Sequence, residues 1–354
     1  MIYSQQDSEI VFVKSIENET DKIKQQFGNK LLLLTDSNTI NYCYPLINEF
    51  LPKEIPVFIL EAGEDQKNIE SVIKVWEFLN SNDADRKSVI INLGGGVLCD
   101  LGGFAASTFK RGLDFIHIPT TLLSQVDASV GGKTGVNFKS YKNEVGSFSF
   151  PLKVLIDTNF LKTLEQEHIL SGFGEMLKHA FIKDEAYYLE LQALDLDKKS
   201  LKYDQLLKLV QHSVKIKEEV VLADPMETGL RKILNFGHTI GHAFESFYMG
   251  TAKELIHGKA IAYGMIMELY LSKLKLGFPK EKLIKVTDYI NMIYGKLIFE
   301  KSDYEKLFIL MTHDKKNENS QINFTLLKDI GVSVINQTAG KQEIYEAFDF
   351  YLNN

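Results

Sequence analysis

Short apolar runs alternate with amphipathic segments in the first half of this sequence, and this alternation constrains its fold more than any other feature. Residues 30–36, 55–60, 88–93 and 115–119 are dense in apolar side chains, and each run is short enough to be a buried strand. Residues 68–79 carry apolar side chains at a helical period. Buried strands that alternate with helices predict an α/β domain with a doubly wound, mostly parallel sheet.

The pattern changes after Pro151. From Phe160 onward helical periods dominate, at residues 171–181, 205–222, 233–247 and 257–276, followed by a predicted antiparallel strand pair at 322–327 and 331–335 and a closing helix at 341–352. A chain of 354 residues is long enough for two domains. We therefore expect an α/β domain over residues 1–158 and a mainly helical domain over residues 159–354. The two should pack together and leave a cleft, where small-molecule sites are common.

The composition narrows the class of partner. The formal net charge of -7 argues against nucleic acid as a default partner. The two cysteines, Cys43 and Cys99, form no Cys-x-x-Cys pair, so thiolate zinc sites and a disulfide scaffold are not expected. The N-terminus lacks a basic segment followed by an apolar run, and no apolar stretch reaches about 18 residues. We therefore expect no signal peptide, no membrane partner and a cytoplasmic location.

Three consecutive glycines, Gly94-Gly95-Gly96, follow the predicted strand at 88–93 and open a helical segment. Glycines allow the backbone to approach a pyrophosphate closely, and a helix N-terminus adds partial positive charge. The spacing differs from the Gly-x-Gly-x-x-Gly pattern of Rossmann domains, so the run predicts a nucleotide site without matching that fingerprint. The alternative is a tight strand-to-helix turn that binds nothing.

Two histidines one helical turn apart, His238 and His242, can direct their imidazoles to a common point. His257 follows them, and Glu175 precedes them in another segment that contains glycine. Two imidazoles and one carboxylate leave coordination positions open, which is typical of a catalytic zinc site. Either both His238 and His242 bind the metal, or one binds it and the other faces the substrate. Spacing does not decide between these alternatives.

Further motifs resemble the 3-dehydroquinate synthase family. They are, in order, Lys110-Arg111-Gly112, residues 118–137 with Gly131-Gly132-Lys133-Thr134-Gly135, Lys142-Asn143, Thr163-Leu164, Gly174-Glu175, residues 231–242, His257-Gly258 and Asp314-Lys315-Lys316. The resemblance covers residues 30–335. It implies a nucleotide-binding α/β half followed by a mainly helical metal-binding half, and a homodimer.

The resemblance also implies an activity, that of a carbon–oxygen lyase of the shikimate pathway. Such an enzyme converts 3-deoxy-D-arabino-heptulosonate 7-phosphate into 3-dehydroquinate and phosphate. Its cofactors would be NAD and one divalent metal ion, zinc or cobalt. The steps would be oxidation of a ring alcohol, elimination of phosphate, reduction of the ketone and an intramolecular aldol closure.

Individual residues take roles from the same resemblance. Glu175, His238 and His257 would bind the metal, which makes His242 a substrate-side residue. The NAD site would include Asp36, Glu64, Lys67, Gly95, Asp100, Thr120, Thr121, Lys133, Lys142 and Thr163. The substrate shell would include Asp127, Lys133, Asn143, Lys178, Lys217, Arg231, Asn235 and His242, with Lys315 or Lys316 from nearer the C-terminus. Arg111 would reach the partner subunit's site in the dimer.

Two other enzyme classes share these features. Another sugar-phosphate cyclase, such as 2-deoxy-scyllo-inosose synthase, would use the same metal and NAD on a substrate without a carboxylate. A metal-dependent polyol dehydrogenase of the glycerol dehydrogenase type would share the fold but release reduced cofactor. The run at residues 131–137 resembles the dehydroquinate synthase version, so this family is our prediction.

Overall fold

The computed structural model describes residues 8–139, 141–312 and 322–354. The chain divides into two compact units, Met1–Glu165 with Lys198–Val214, and Gln166–Asp197 with Lys215–Asn354. The domain division at residue 158 stays a prediction. Within the described ranges, no helix combines the length and the apolar character needed to cross a membrane.

The first unit is built on a six-stranded parallel sheet. Its strands are β1 (Glu9–Phe12), β2 (Leu31–Asp36), β3 (Val57–Leu60), β4 (Val89–Gly94), β5 (Asp114–Pro119) and β8 (Lys153–Ile156), in the order β1-β8-β5-β4-β2-β3. The four predicted strands are confirmed as β2 to β5. Strands β1 and β8 are not evident in the sequence, because their apolar runs, at residues 10–13 and 154–156, are shorter than the run at 55–60 that contains β3.

Helices cover both faces of this sheet. They are α1 (Glu17–Phe27), α2 (Thr39–Tyr42), α3 (Ile69–Ser81) and α4 (Gly96–Thr108). Side chains of β2 alternate between two buried clusters. Leu32 and Leu34 pack with Val72 of α3, whereas Leu31 and Leu33 pack with residues of α1. Two covered faces account for the nearly continuous apolar runs of the strands, and they confirm the doubly wound sheet.

A two-stranded antiparallel hairpin belongs to the same unit. Its strands are β6 (Lys133–Phe138) and β7 (Tyr141–Phe148), and Gly135 lies opposite Gly146. A Cβ on Gly135 would lie 2.6 Å from the carbonyl oxygen of Val145, so the pair has no room for side chains. The sequence does not predict this hairpin, because glycine and polar residues interrupt the alternation typical of a strand.

The second unit is mainly helical. It contains α5 (Gln166–Lys183), α6 (Glu185–Gln192), the later part of α7 (Tyr203–Ala223), α8 (His238–Tyr248), α9 (His257–Leu276), α10 (Lys280–Tyr294), α11 (Tyr304–Thr312), α12 (Lys341–Asn353) and an antiparallel pair, β9 (Asn323–Asp329) and β10 (Val332–Thr338). The predicted strand pair, the helix at 257–276 and the closing helix are confirmed. The helix predicted at 171–181 begins earlier, at Gln166.

The single helix predicted at 233–247 is wrong. The structure instead has a 3-10 turn at Leu230–Asn235, a break at Gly237 and then α8. Gly237 has a φ of +80°, a left-handed conformation that interrupts a helix and favours glycine. A Cβ at this position would also lie 2.5 Å from Cγ of Met265 on α9. Helix α8 therefore begins at His238, one of the predicted metal ligands.

Candidate active site

Glycine contacts bring three helices of the second unit close together. On α5 and α9, a Cβ on Gly174 would lie 2.9 Å from the carbonyl carbon of Gly258, and one on Gly258 would lie 2.6 Å from that of Ser171. Where α9 meets α8, a Cβ on Gly264 would lie 2.7 Å from the backbone nitrogen of Gly241. Only glycine allows backbones to approach this closely, which explains why glycines adjoin the predicted ligands.

The crossing of these helices places one carboxylate against two imidazoles. Glu175 is fully buried, and its Oε1 lies 3.6 Å from Nε2 of His238 and 3.4 Å from Nε2 of His257. Its Oε2 lies 2.5 Å from Nζ of Lys178, which is also buried and lies one helical turn along α5. The structure thus brings these four predicted residues into one cluster.

The far nitrogen of each imidazole is held by an oxygen. Nδ1 of His238 lies 3.2 Å from the carbonyl oxygen of Phe236, and Nδ1 of His257 lies 3.4 Å from Oε2 of Glu245 on α8. An Nδ1–H that donates to these oxygens leaves the Nε2 lone pair directed toward Glu175, which is the tautomer that a metal ligand needs. Glu245 does not stand out in the sequence as a functional residue, although it lies two helical turns after His238 and so on the same face of α8.

The donor set fits a divalent cation. Two ligands that are each about 2.0–2.1 Å from a tetrahedral zinc ion lie about 3.3–3.4 Å apart, close to the two distances between Glu175 Oε1 and the imidazole nitrogens. Burial lowers the pKa of His257, but hydrogen bonds and charge from Glu175 and Glu245 outweigh burial and raise the pKa to about 10. A raised histidine pKa means that the surrounding carboxylates favour positive charge at this position. A divalent ion would supply that charge in place of the proton.

His242 belongs to the same cluster. Its ring centroid lies 5.1 Å from that of His238 and 5.7 Å from that of His257. One nitrogen of each of the three imidazoles lies within 4.8 Å of the others. His238 and His242 do share one helix, as expected. These distances admit either His242 or Glu175 as the third ligand, so the geometry leaves both alternatives for the histidine pair open.

Two predicted substrate residues belong to one loop before α8. Arg231 is buried and its Nη1 donates to the carbonyl oxygen of Pro225 at 2.7 Å. Nδ2 of Asn235 donates to Oε1 of Glu227 at 3.0 Å. A third predicted residue, Lys217, is buried on α7. Cations in a protein interior attract anions strongly because the local dielectric constant is low, so Arg231 and Lys217 are suited to an anionic ligand.

Asp224 shapes this loop, although the sequence does not single it out. Its carboxylate accepts hydrogen bonds from the backbone N–H groups of Thr228, Gly229 and Arg231 at 3.0, 2.7 and 2.9 Å, and from the Thr228 hydroxyl at 3.2 Å. Burial raises the pKa of Asp224, but these donors outweigh burial and lower the pKa to about 2. An ionised carboxylate therefore fixes the backbone from which the Arg231 side chain extends.

In the first unit, predicted nucleotide residues follow the carboxyl ends of neighbouring strands. Asp36 ends β2, Gly95 lies between β4 and α4, and Thr120 follows β5. Strand β2 leads to β3 on one side and β4 leads to β5 on the other, so the strand order reverses between β2 and β4. Parallel α/β sheets bind nucleotides at such a switch point. The expected arrangement of strand, glycine turn and helix is confirmed at Gly95.

Short turns and the hairpin carry other predicted residues of this unit. Thr121 donates from its hydroxyl to Ser124 Oγ at 2.9 Å, and Asp127 lies on the π-helical turn Ser124–Ala128, a conformation often found at functional sites. Thr163 ends a 3-10 turn, and Lys133 and Lys142 are exposed on the hairpin. Lys315 and Lys316 lie outside the described residues.

Lys67 joins a residue predicted to contact NAD to one predicted to contact the substrate. Its Nζ lies 2.5 Å from both Oδ2 of Asp100 and Oδ1 of Asn143, and its side chain is buried. Burial lowers the pKa of Lys67, but the charges of Asp100 and Glu64 and the hydrogen bond to Asp100 together outweigh burial and raise this pKa. Lys67 is therefore a fixed cation that connects Asp100 with Asn143.

Arg111 is separated from this group. It is exposed, and it follows the C-terminal end of α4, whereas Gly95 precedes the N-terminal end of the same helix. A helix of 13 residues is about 20 Å long, so Arg111 lies far from the glycine turn of its own chain. Lys110 and Arg111 both have left-handed backbone conformations, with φ of 46° and 70°.

Solved structures with the same fold include sugar-phosphate cyclases and dehydrogenases. A 2-epi-5-epi-valiolone synthase from Streptomyces hygroscopicus with NAD+ and Zn2+ bound has a TM-score of 0.85 at 24% identity, covering 98% of this chain and 97% of that chain. A 2-deoxy-scyllo-inosose synthase complexed with carbaglucose-6-phosphate, NAD+ and Co2+ has a TM-score of 0.83 at 25% identity, covering 96% and 95%. A glycerol dehydrogenase from Schizosaccharomyces pombe has a TM-score of 0.68 at 14% identity, covering 99% and 90%. The fold is therefore that of the sugar-phosphate cyclases.

Sequence comparison narrows this class. Models of the 3-dehydroquinate synthase N-terminal and C-terminal regions match residues 57–171 and 172–317. The 3-dehydroquinate synthase of Parabacteroides distasonis is 47% identical over 347 residues, which cover 98% of each chain. That of Clostridium tetani is 37% identical over 350 residues, covering 96% of this chain and 92% of the relative. The chain belongs to the 3-dehydroquinate synthase family.

Proposed function

We propose that this chain is a 3-dehydroquinate synthase, which converts 3-deoxy-D-arabino-heptulosonate 7-phosphate into 3-dehydroquinate and phosphate. The observation that carries the proposal is the cluster of Glu175, Lys178, His238 and His257 in a member of this family. Two relatives that carry this name are 47% and 37% identical, whereas the two cyclases with other names are 24% and 25% identical. Identity thus favours this reaction over that of another cyclase.

The chemistry begins at a ring alcohol of the substrate. When bound, NAD accepts and returns a hydride, and the divalent ion polarises the alcohol and ketone oxygens. Oxidation makes the C–H next to the new ketone acidic, so phosphate can leave. Reduction of the ketone and ring opening then allow the aldol closure. The substrate loses and regains one hydride, so the overall reaction consumes no reductant.

In this proposal the chain's own side chains bind and orient the substrate. Glu175, His238 and His257 would hold the metal, and His242 would face the substrate. The buried cations, Lys178, Lys217 and Arg231, bind its carboxylate and phosphate, for which the planar fork of arginine is well suited. Leaving phosphate takes the proton itself, and holding one conformer of the substrate supplies much of the rate. The remaining substrate residues are Asp127, Lys133, Asn143 and Asn235.

In this proposal Gly95 and the N-terminus of α4, at the switch point of the sheet, would hold the pyrophosphate of NAD. Two cyclases of the same fold were solved with NAD+ and with Zn2+ or Co2+, which supports the same pair of cofactors here, the metal being zinc or cobalt. NAD and sugar phosphates are cytoplasmic metabolites, so we place the enzyme in the cytoplasm.

A homodimer in which Arg111 completes the partner subunit's phosphate site is also part of the proposal. The strained, exposed backbone at Arg111, far from its own glycine turn, supports a role outside its own subunit. Mixing the inactive variants Arg111→Ala and Lys133→Ala tests this under subunit exchange. About half of the dimers would be mixed and each would hold one intact site, so about a quarter of wild-type activity should return. Exchange without recovery contradicts the shared site.

The activity itself is tested with purified protein, NAD and the heptulosonate phosphate. The expected result is release of phosphate without accumulation of NADH. Net NADH formation on a polyol would instead indicate a dehydrogenase. Phosphate release from a hexose 6-phosphate, and none from the heptulosonate, would indicate another cyclase.

Metal content tests the ligand assignment. His238→Ala should lose metal and activity together, because it removes a proposed ligand. His242→Ala should keep most of its metal and lose activity. If His242→Ala loses its metal while Glu175→Ala keeps its metal, the ion is bound by the three histidines instead.

A further inference from the structure

Asn137, near the end of β6, makes three hydrogen bonds that the proposed roles leave unexplained. Its backbone N–H donates to the carbonyl oxygen of Lys67 at 2.8 Å, and its Nδ2 donates to Oε1 of Glu64 at 2.9 Å. Its Oδ1 accepts from the backbone N–H of Asn143 at 2.9 Å. All three partners are residues proposed to contact NAD or substrate, whereas Asn137 itself is not.

The chemistry of the partners determines the orientation of the Asn137 amide. A carboxylate can only accept and a backbone N–H can only donate, so Nδ2 must face Glu64 and Oδ1 must face Asn143. In the reverse orientation Oδ1 would face the Glu64 carboxylate, where two acceptors meet, and the amide NH2 would face the backbone N–H of Asn143, where two donors meet. Asparagine therefore satisfies both partners at once, which neither aspartate nor alanine does.

Asn143 is held from two directions. Asn137 fixes its backbone, and Nζ of Lys67 lies 2.5 Å from its Oδ1. Its φ of 53° is a left-handed conformation that is uncommon outside glycine. Asparagine adopts this conformation more readily than other non-glycine residues. Here two contacts fix it, and both come from residues tied to the NAD side.

We infer that Asn137 is a positioning residue that links the Glu64 carboxylate on the NAD side to the backbone of Asn143 on the substrate side. The inference rests on the proposed function. Asn137 acts through these two neighbours and contacts neither cofactor nor substrate. Its two side-chain bonds serve separate ligands, so variants can divide them.

Two variants of Asn137 test its hydrogen bonds to Glu64 and to Asn143 separately. Asn137→Ala removes both, so the NAD dissociation constant and the KM for the heptulosonate phosphate should each rise about tenfold, the usual effect of losing one hydrogen bond. Asn137→Asp keeps an oxygen that accepts from Asn143 but sets a carboxylate against Glu64. NAD affinity should fall about tenfold or more, while KM stays within about twofold of wild type at saturating NAD.

Asn82→Ala is the matched control. Nδ2 of Asn82 donates to the carbonyl oxygen of Phe78 at 2.9 Å, at the C-terminal end of α3. The 13 residues of α3 place Asn82 about 20 Å from Lys67, which lies just before the other end of the helix. This substitution should change neither NAD affinity nor KM.

The double variant Asn137→Ala with Asn143→Ala distinguishes positioning from general loosening. If Asn137 acts on the substrate through Asn143, the KM of the double variant equals that of Asn143→Ala alone, while its NAD affinity still falls through Glu64. If the two KM increases multiply, or if Asn137→Asp raises KM as much as Asn137→Ala does, the inference is wrong.

The proposed function can be wrong while the inference about Asn137 and Glu64 remains testable. In that case wild-type protein binds NAD in a calorimeter but releases no phosphate from the heptulosonate phosphate. NAD titration of Asn137→Asp then decides the Glu64 contact alone, and an unchanged dissociation constant overturns it.

Discussion

A single added methyl group at Gly258 should separate the proposed metal ligands. Its Cβ would lie 2.6 Å from the carbonyl carbon and 2.8 Å from Cα of Ser171, and neither backbone atom can rotate away. Carbon atoms in contact are normally about 3.5–4.0 Å apart, so Gly258→Ala must move α5 and α9 apart by roughly 1 Å. His257 precedes Gly258 on α9, and Glu175 lies on α5, so this shift would change the distance between the two proposed ligands. Metal–ligand distances tolerate only about 0.2 Å of change.

Two measurements separate the packing effect from the metal effect. Urea unfolding with a chelator present should show Gly258→Ala destabilised by about 1–3 kcal/mol, the usual cost of overpacking. Competition with a chromophoric chelator should show metal binding weakened by about 100-fold. With metal in excess, the loss in free energy of unfolding relative to wild type should therefore grow by about 2.7 kcal/mol. Gly340→Ala is the control, since its Cβ would lie 3.8 Å from Oε2 of Glu343 at an ordinary φ of -82°. Wild-type metal affinity in Gly258→Ala would show that the close crossing does not set the ligand geometry.

Three further outcomes follow from the site. Glu245→Gln should weaken metal binding by about 10–100-fold and leave NAD affinity unchanged, because Glu245 orients His257; unchanged metal affinity in a chelator competition contradicts this. Gly95→Val should weaken NAD binding in a calorimeter with metal content intact, and its Cβ would lie 3.2 Å from Cγ2 of Thr121; unchanged NAD affinity would make the turn purely structural. The pKa of Asp224 is lowered to about 2 from an ordinary value of 3.8, so its stabilising effect is complete above that ordinary value and is lost as pH falls toward the folded pKa. Unfolding of metal-free protein between pH 5 and about 2 should therefore show a smaller loss of stability for Asp224→Asn than for wild type, and equal losses would contradict the assignment.

Strands at the centre of the sheet could be predicted from sequence because both of their faces are buried. Such strands appear as apolar runs, and β2 and β4 are buried along nearly their whole length. The edge strand β1 has no buried residue and spans Glu9–Phe12 only. Strand β8 is buried but too short to distinguish from other apolar segments. The other edge strand, β3, also has 4 residues, but it ends the longer apolar run at 55–60 and could be predicted. Prediction therefore depended on the length of the apolar run.

The break before α8 could not be predicted from periodicity. Residues 233–247 keep a helical period through Gly237, because a left-handed residue does not alter the spacing of the apolar side chains around it. The reason for the break lies on another helix, where Met265 occupies the space that a side chain at Gly237 would need. A contact between residues 28 positions apart (265 minus 237) has no local signal in the sequence.

The proposed ligands of the site have a local signal in the sequence, whereas the residues that position other site groups do not. His238 and Glu175 attract notice because histidine and carboxylate are chemically specialised and lie beside glycines. Asn137 and Asp224 are common residue types, and their roles depend on partners they meet only after folding, such as Glu64, which is 73 positions from Asn137. The glycines beside the ligands are an intermediate case. A glycine within a predicted helix already indicates a close approach of another backbone, so the crossing of α5 and α9 could be expected from sequence, whereas the partner at that crossing could be identified only from the structure.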